Sequence, residues 1–262
     1  MPGYGQIALM MAQIPLTYRA NFGLHFVGFL LQIFLLRMIW TSVYAGQESV
    51  DGVPLDTLVA YLTLANLQLW VMYPVAAGEV AERVRDGTIA LAMSRPASFI
   101  GQMVARQIGF TAGVMPYLLA SLPAALLVGG LQPPASPTAG ALFAVSLALA
   151  YLIGTLIGIM LGLLSFWLLE IGALFTIYFL VNQFFAGAYV PLWFFPPALR
   201  RAAELLPFQT QAFVPLAIYF GRLTAGDALR ALGLQLFWVV ALGSAARLMW
   251  GWAHRRLVVQ GG

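Results

Sequence analysis

The chain has 262 residues, 61% of them hydrophobic and only 8% charged, with a formal net charge of +4. A soluble globular domain carries about 25% charged residues, so this composition excludes a water-covered domain and implies an integral membrane protein. It has no cysteine and no lysine, which excludes disulfides, thiolate sites, Schiff-base chemistry and a phosphate-loop ATPase within this chain.

The N-terminal stretch has no basic region before its apolar part and no small-residue cleavage site, so the first span is expected to act as the targeting signal. Residues 5–21, apolar with Gln6, Gln13 and Arg19 interspersed, predict an amphipathic helix on the inner face. A span needs about 20 mainly apolar residues, and six stretches qualify: about 22–44, 57–77, 105–128, 138–163, 171–189 and 228–250. Pro116 and Pro123 predict kinks in the third. Residues 190–222 are broken by Pro191, Pro196, Pro197, Pro207 and Pro215, yet are too apolar and aromatic for a plain water-exposed loop. Short helices re-entering from the outer side fit them; an interfacial loop with an aromatic belt is the plainer alternative. No fixed-period repeat and no second domain are visible, so residues 1–262 read as one all-α polytopic membrane domain.

Six spans place both termini on one side, and arginine asymmetry chooses it. With the termini inside, inner segments hold Arg19, Arg83, Arg85, Arg95, Arg106, Arg247, Arg255 and Arg256, against Arg200, Arg201, Arg222 and Arg230 outside. The expected location is the plasma (inner) membrane, with both termini cytoplasmic.

Between the second and third spans lies the most charged stretch, Glu79 to Asp86, with Glu79, Glu82, Arg83, Arg85 and Asp86. Glu79 and Arg83 stand at i and i+4, a favourable order on a helix. Gly87 is a natural left-handed cap, and Arg95-Pro96 ends the element after Ser94. A solvated inner loop and a rigid helix docking into a soluble partner's groove both fit this pattern; nearly equal acids and bases exceed what orientation requires.

Polar residues within spans are the other candidates. Gln32, Asn66, Gln68, Asn182 and Gln183 line a translocation path or bond between helices. Arg37 lies about seven residues from the outer end of the first span, within reach of the interface by snorkelling. Glu170, beside Ser165-Phe166-Trp167, marks a tight inner turn and a possible second cytoplasmic contact. Gly154, Gly158 and Gly162 form a smooth stripe for close helix packing, within the chain or across a dimer.

The chain resembles the permease subunits of ABC-2 type exporters, in their short six-span branch. The resemblance rests on Glu82-Arg83-Val84-Arg85-Asp86-Gly87-Thr88-Ile89 followed by Ser94-Arg95-Pro96, and on Gly187-Ala188-Tyr189-Val190-Pro191 with Phe195-Pro196 and Leu206-Pro207-Phe208. Pro215, Gly221 and the ending from Arg255 to Gly262 complete it. It implies a coupling helix at 79–87 seated on a separate cytoplasmic ABC ATPase, an amphipathic helix before the first span and re-entrant outer helices before the last. It implies two ATPase copies and a second permease chain, as homodimer or heterodimer. The chain itself would bind no cofactor and be no enzyme, with ATP and Mg on the ATPase. An ATP-independent secondary transporter is the alternative function; it would show repeats and ion-binding acids at the midplane. A membrane enzyme would need a motif such as His-Glu-x-x-His or Gly-x-Ser-x-Gly, and neither occurs.

Overall fold

The computed structural model describes residues 3–17, 19–93, 98–168 and 170–260. Most of the described residues are helical, as backbone in lipid must satisfy its own hydrogen bonds. In order come α1 (Tyr4–Thr17), α2 (Arg19–Tyr44), α3 (Leu55–Val71), α4 (Val75–Arg85), α5 (Ile89–Met93), α6 (Phe99–Gly129) and α7 (Pro137–Leu163). Then follow α8 (Gly172–Phe185), α9 (Pro197–Glu204), α10 (Phe213–Tyr219) and α11 (Ala225–Gln260). Among the described residues, five helical stretches are long and apolar enough to cross a membrane: Phe26–Tyr44, Leu55–Arg85, Phe99–Leu127, Pro137–Phe166 and Ala225–Ala253. The chain is an all-α, multi-pass membrane protein, with one small exception to all-α. The Asp51-Gly52 pair, both at positive φ, turns a short antiparallel hairpin of β1 (Ser49–Val50) and β2 (Val53–Pro54).

The long helices run between two ends of one bundle. At one end lie α4, α5 and the turn after α7; at the other lie the hairpin, the 130–136 connection and the short helices α9 and α10. Contacts fix the directions. Gln32 of α2 meets Asn66 of α3, while Phe29 stacks on Trp70 further along, so these two helices are antiparallel. Ser146 of α7 meets Gln235, and Phe166 meets Trp250, so α7 and α11 run the same way. Phe99 at the start of α6 stacks on Trp250 at a centroid distance of 3.9 Å, closing the α4 end.

Three predicted elements differ from what forms. The span expected at 171–189 is helical for only 14 residues, as α8. At helical rise that is about 21 Å, short of a hydrocarbon core of roughly 30 Å. The cause is local: Gly187 takes φ 81, its N–H donates to the Phe184 carbonyl, and Ala188 N–H donates to that of Gln183. This paired cap ends a helix even though the apolar run continues. The span expected at 57–77 divides at Pro74, which has no N–H to continue the ladder, so α3 stops at Val71 and α4 starts at Val75. The N-terminal helix, expected to be amphipathic, buries Ile7, Met11 and Pro15, yet its open face still carries Leu9, Met10 and Ile14. It lies lengthwise along α6, where Gly109 and Gly113 let the Ala8 and Ala12 carbonyls approach too closely for a Cβ.

Pro116 and Pro123 both fall inside α6, which is assigned as one helix. The predicted stop at Ser94-Arg95-Pro96 and the final Gly261-Gly262 lie outside the described residues.

The segment from Val190 to Arg222 folds back into the bundle. Gln211 bonds Gln68, thirteen residues down α3 from Leu55, about 20 Å at helical rise. From there α10 climbs back, buried from Phe213 to Ile218, and ends in a second paired cap at Gly221, φ 65.

Candidate functional site

The charged stretch forms most of α4, and its residues divide by face. Val80, Ala76 and Ala77 point into the bundle, where the α7 glycines receive them. A Cβ at Gly158 would stand 2.6 Å from Pro74, and one at Gly162 would stand 2.7 Å from Val80. Gly158 and Gly162 therefore pack against Pro74 and α4 within this chain, while a Cβ at Gly154 would stand 3.1 Å from the Gln211 side-chain oxygen.

Glu79 lies on the flank of α4 with 15% of its side chain exposed, and meets two arginines. Arg83 donates to Glu79 Oε1 from both Nε and Nη2, the latter at 3.0 Å. Arg106 of α6 donates to the same oxygen and also reaches the Met11 sulfur of α1 at 3.4 Å. One carboxylate thus joins α4 to α6 beneath α1. Charge-assisted bonds in a site this shielded from water are among the stronger polar contacts.

Glu82, Arg85, Asp86 and Gly87 are exposed. Gly87 has φ 69 and donates to the Val84 carbonyl, so the left-handed cap forms where Asp-Gly places it. Beside them opens a hollow of about 1070 Å³, lined by Glu79, Glu82, Arg85, Arg106 and the turn from Ser165 to Leu168. Glu170 lines the same hollow, and its Oε1 accepts from Gly172 N–H at 2.7 Å at the start of α8. A carboxylate there complements the positive end of the helix. Residues 82, 85 and 170, far apart in the chain, thus share one charged face.

A second hollow, of about 540 Å³, opens between α2, α3 and α8. It brings together Gln32, Asn66 and Gln183, with Phe29, Trp70 and Phe179 as aromatic walls. Gln32 Nε2 donates to Asn66 Oδ1 at 2.7 Å, and Asn66 Nδ2 donates to the Leu62 carbonyl at 2.8 Å. Gln183 Oε1 is buried without a partner.

Gln68 and Asn182 are turned elsewhere. Gln68 donates to the Gln211 carbonyl, and Gln211 Nε2 donates to Asn182 Oδ1 at 2.8 Å. These amides hold the folded-back segment against α3 and α8. Gln235 adds a bond to the Thr210 carbonyl at 2.8 Å and accepts from Ser146 at 2.9 Å. Arg37 is exposed on α2, away from both hollows.

Sequence reasoning overlooked Gln211, Gln235 and the bridging role of Arg106. Arg106 was visible only as one more inner arginine. Two glutamines in a proline-rich apolar stretch, Gln209 and Gln211, were a usable signal for Gln211, because an amide so placed needs a partner.

No curated protein and no solved structure matches the chain. The sequence model of the family described as ABC-2 family transporter protein matches residues 26–261, from α2 through almost the whole of the chain. On that span, the protein belongs to the ABC-2 family of transporter proteins.

Proposed function

We propose that the chain is the permease subunit of an ATP-driven exporter, with α4 as the lever on which a separate cytoplasmic ABC ATPase acts. The observation that carries this reading is the division of α4. Its exposed charges are Glu82, Arg85 and Asp86, and Glu82 and Arg85 line one hollow with Glu170. Its inner face is fixed to α7 through glycine and to α6 through Glu79 and Arg106. A load applied to the exposed face therefore reaches two long helices without a flexible intermediate, which rigid-body switching requires.

In this reading the α4 end and both termini are cytoplasmic, in the plasma membrane, and the far end is outside. α8 makes the remaining crossing, completed by the apolar stretch after it and by local thinning of the bilayer. It runs the right way, with Phe175 against Tyr73 near α4 and Phe184 against Phe195 near the far end. Residues 190–222 re-enter from the outer side. Two permease chains, identical or paired with a sister chain, and two ATPase copies make up the working complex, with ATP and Mg held by the ATPase. The path lies along the uncharged hollow of Gln32, Asn66 and Gln183.

The test is co-purification with the ATPase encoded nearest to this gene, for wild type and for Glu82→Arg. A wild-type complex that hydrolyses ATP, lost in the variant while insertion is normal, supports the reading. A Glu82→Arg chain that couples normally removes α4 as the lever, and a wild-type chain that recruits no ATPase removes the exporter.

A further inference from the structure

The two hollows follow one another along a single furrow. On α8, Phe175 lines the charged one, while Phe179 and then Gln183, at successive turns, line the uncharged one. Opposite them, Asn66, Leu69 and Trp70 of α3 line the uncharged hollow, and Pro74 and Val75, where α4 begins, line the charged one. Among the described residues, Tyr73 alone lines both. Its ring meets Phe175 edge to face, with centroids 5.8 Å apart and planes at 68°. These two rings stand where one hollow gives way to the other.

Tyr73 sits on a turn, outside both α3 and α4. Val75 N–H donates back to the Tyr73 carbonyl at 2.9 Å across Pro74, whose φ −81 and ψ 75 make an inverse γ-turn. The carbonyls of Val71 and Tyr73 thereby lose their helical partners, and α6 takes them up. Thr111 Oγ1 donates to the first at 3.2 Å, and Gln107 Nε2 donates to the second at 2.9 Å. Tyr73 is thus joined to α4 through Pro74 and to α6 through Gln107. Phe175 is carried by α8, which the folded-back segment holds from the far end. Tyr178 lies against Phe208, Phe184 against Phe195, and Asn182 is bonded to Gln211. A displacement of α4 together with α6 therefore draws one ring from the other, and two rings in contact part without breaking a hydrogen bond.

We propose that Tyr73 and Phe175 form a gate in the transport path. Closed, they divide the hollow at membrane depth from the α4 end; displaced with α4, they join the two. In its link to ATP this rests on the permease reading above; as a barrier between two hollows it does not.

The chain has no cysteine, so a single one can report on the gate. Gly28 of α2 lines the uncharged hollow, belongs to neither gating element and has open space for a Cβ. The reporter Gly28→Cys is placed in inverted membrane vesicles, and the charged thiol reagent methanethiosulfonate ethylsulfonate is added from the α4 end. With both rings present, modification is expected to be slow. Tyr73→Ala and Phe175→Ala should each raise the rate at least about tenfold, as when a state open roughly a tenth of the time or less becomes permanent. Tyr73→Phe, which keeps the ring, should not. Ala60→Cys, wholly buried in α3 and lining neither hollow, stays unreactive in a folded variant and so separates an opened gate from a misfolded chain. Fast modification of Gly28→Cys with both rings in place overturns the proposal and needs no gate variant. An unchanged rate in either folded alanine variant overturns it too. In the complex with its ATPase, turnover of ATP should raise the rate with both rings present. A complex that hydrolyses ATP without altering the rate keeps the permease reading and loses the gate. A chain that recruits no ATPase, yet opens in Tyr73→Ala, loses the permease reading and keeps the barrier.

Discussion

Glu79 faces two arginines with one oxygen, and the setting decides what that is worth. Its side chain and that of Arg106 are only 15% and 14% exposed. Breaking so shielded a pair costs roughly 3–5 kcal/mol, because a charge is left without its counterpart. The Arg200–Glu204 pair, at 46% and 44% exposure, belongs to the class worth about 0–1 kcal/mol. Glu79→Ala should therefore lower the thermal midpoint in detergent clearly, while Glu204→Ala should leave it almost unchanged. The pair Glu79→Met with Arg106→Met should recover much of the loss, since apolar replacement of both partners is often neutral. A double variant as unstable as the sum of its singles would show that the bridge is not the cause. At this scale the sequence was partly readable. The i, i+4 relation of Glu79 to Arg83 was visible, and so was Gly87 as a cap. Arg106 was not, because it stands 27 positions away with no local pattern to bind the two.

Among the elements, α4 and α7 show how a stripe finds its partner. Gly154, Gly158 and Gly162 declare a smooth face, but a stripe alone does not say what lies on it. The answer comes from the residues that meet it: Pro74, at the break between α3 and α4, lies against Gly158, and Val80 of α4 lies over Gly162. Gly162→Leu fills the space between these last two, and overpacking of this kind costs about 1–3 kcal/mol. On the permease reading proposed above, it should also shift α4 and weaken ATPase recruitment, read by co-purification. Loss of stability with full recruitment would separate packing from coupling. The shortness of α8 was hidden for a related reason. Hydropathy counts apolar residues and does not see that Gly187 has turned left-handed. Gly187→Ala should cost more than about 1 kcal/mol, because φ 81 strains any residue with a Cβ. Tyr61 Oη also stands 2.9 Å from the place that Cβ would occupy. An unaltered midpoint would argue that the cap relaxes freely.

The whole molecule has two ends of different construction. One carries α4, α5 and the Ser165–Leu168 turn around Val80, Ile89 and Met103; the other packs the hairpin and folded-back segment around Tyr44, Tyr61 and Leu192. Composition was enough to predict a multi-pass bundle, since nothing else disposes of so much apolar surface. The amide links among Gln68, Asn182, Gln211 and Gln235 were beyond it, because each is a long-range pairing set by the fold. Sidedness is testable at once, as the chain has no cysteine of its own. Glu82→Cys should react with an impermeant maleimide only from the cytoplasmic side, and Arg200→Cys only from the other. Labelling of both from one side would contradict the alternating path of the chain.

The seat of α1 on α6 has a consequence for synthesis. The glycines that admit Ala8 and Ala12, Gly109 and Gly113, follow them by roughly a hundred residues. At a ribosomal pace of about 5–20 residues per second, α1 waits for seconds before its seat exists. During that interval Ile7, Met11 and Pro15, the face of α1 that is buried in the finished fold, have only the bilayer surface or a chaperone to cover them. α1 is thus made well before its seat, and the nascent chain must protect it until α6 arrives.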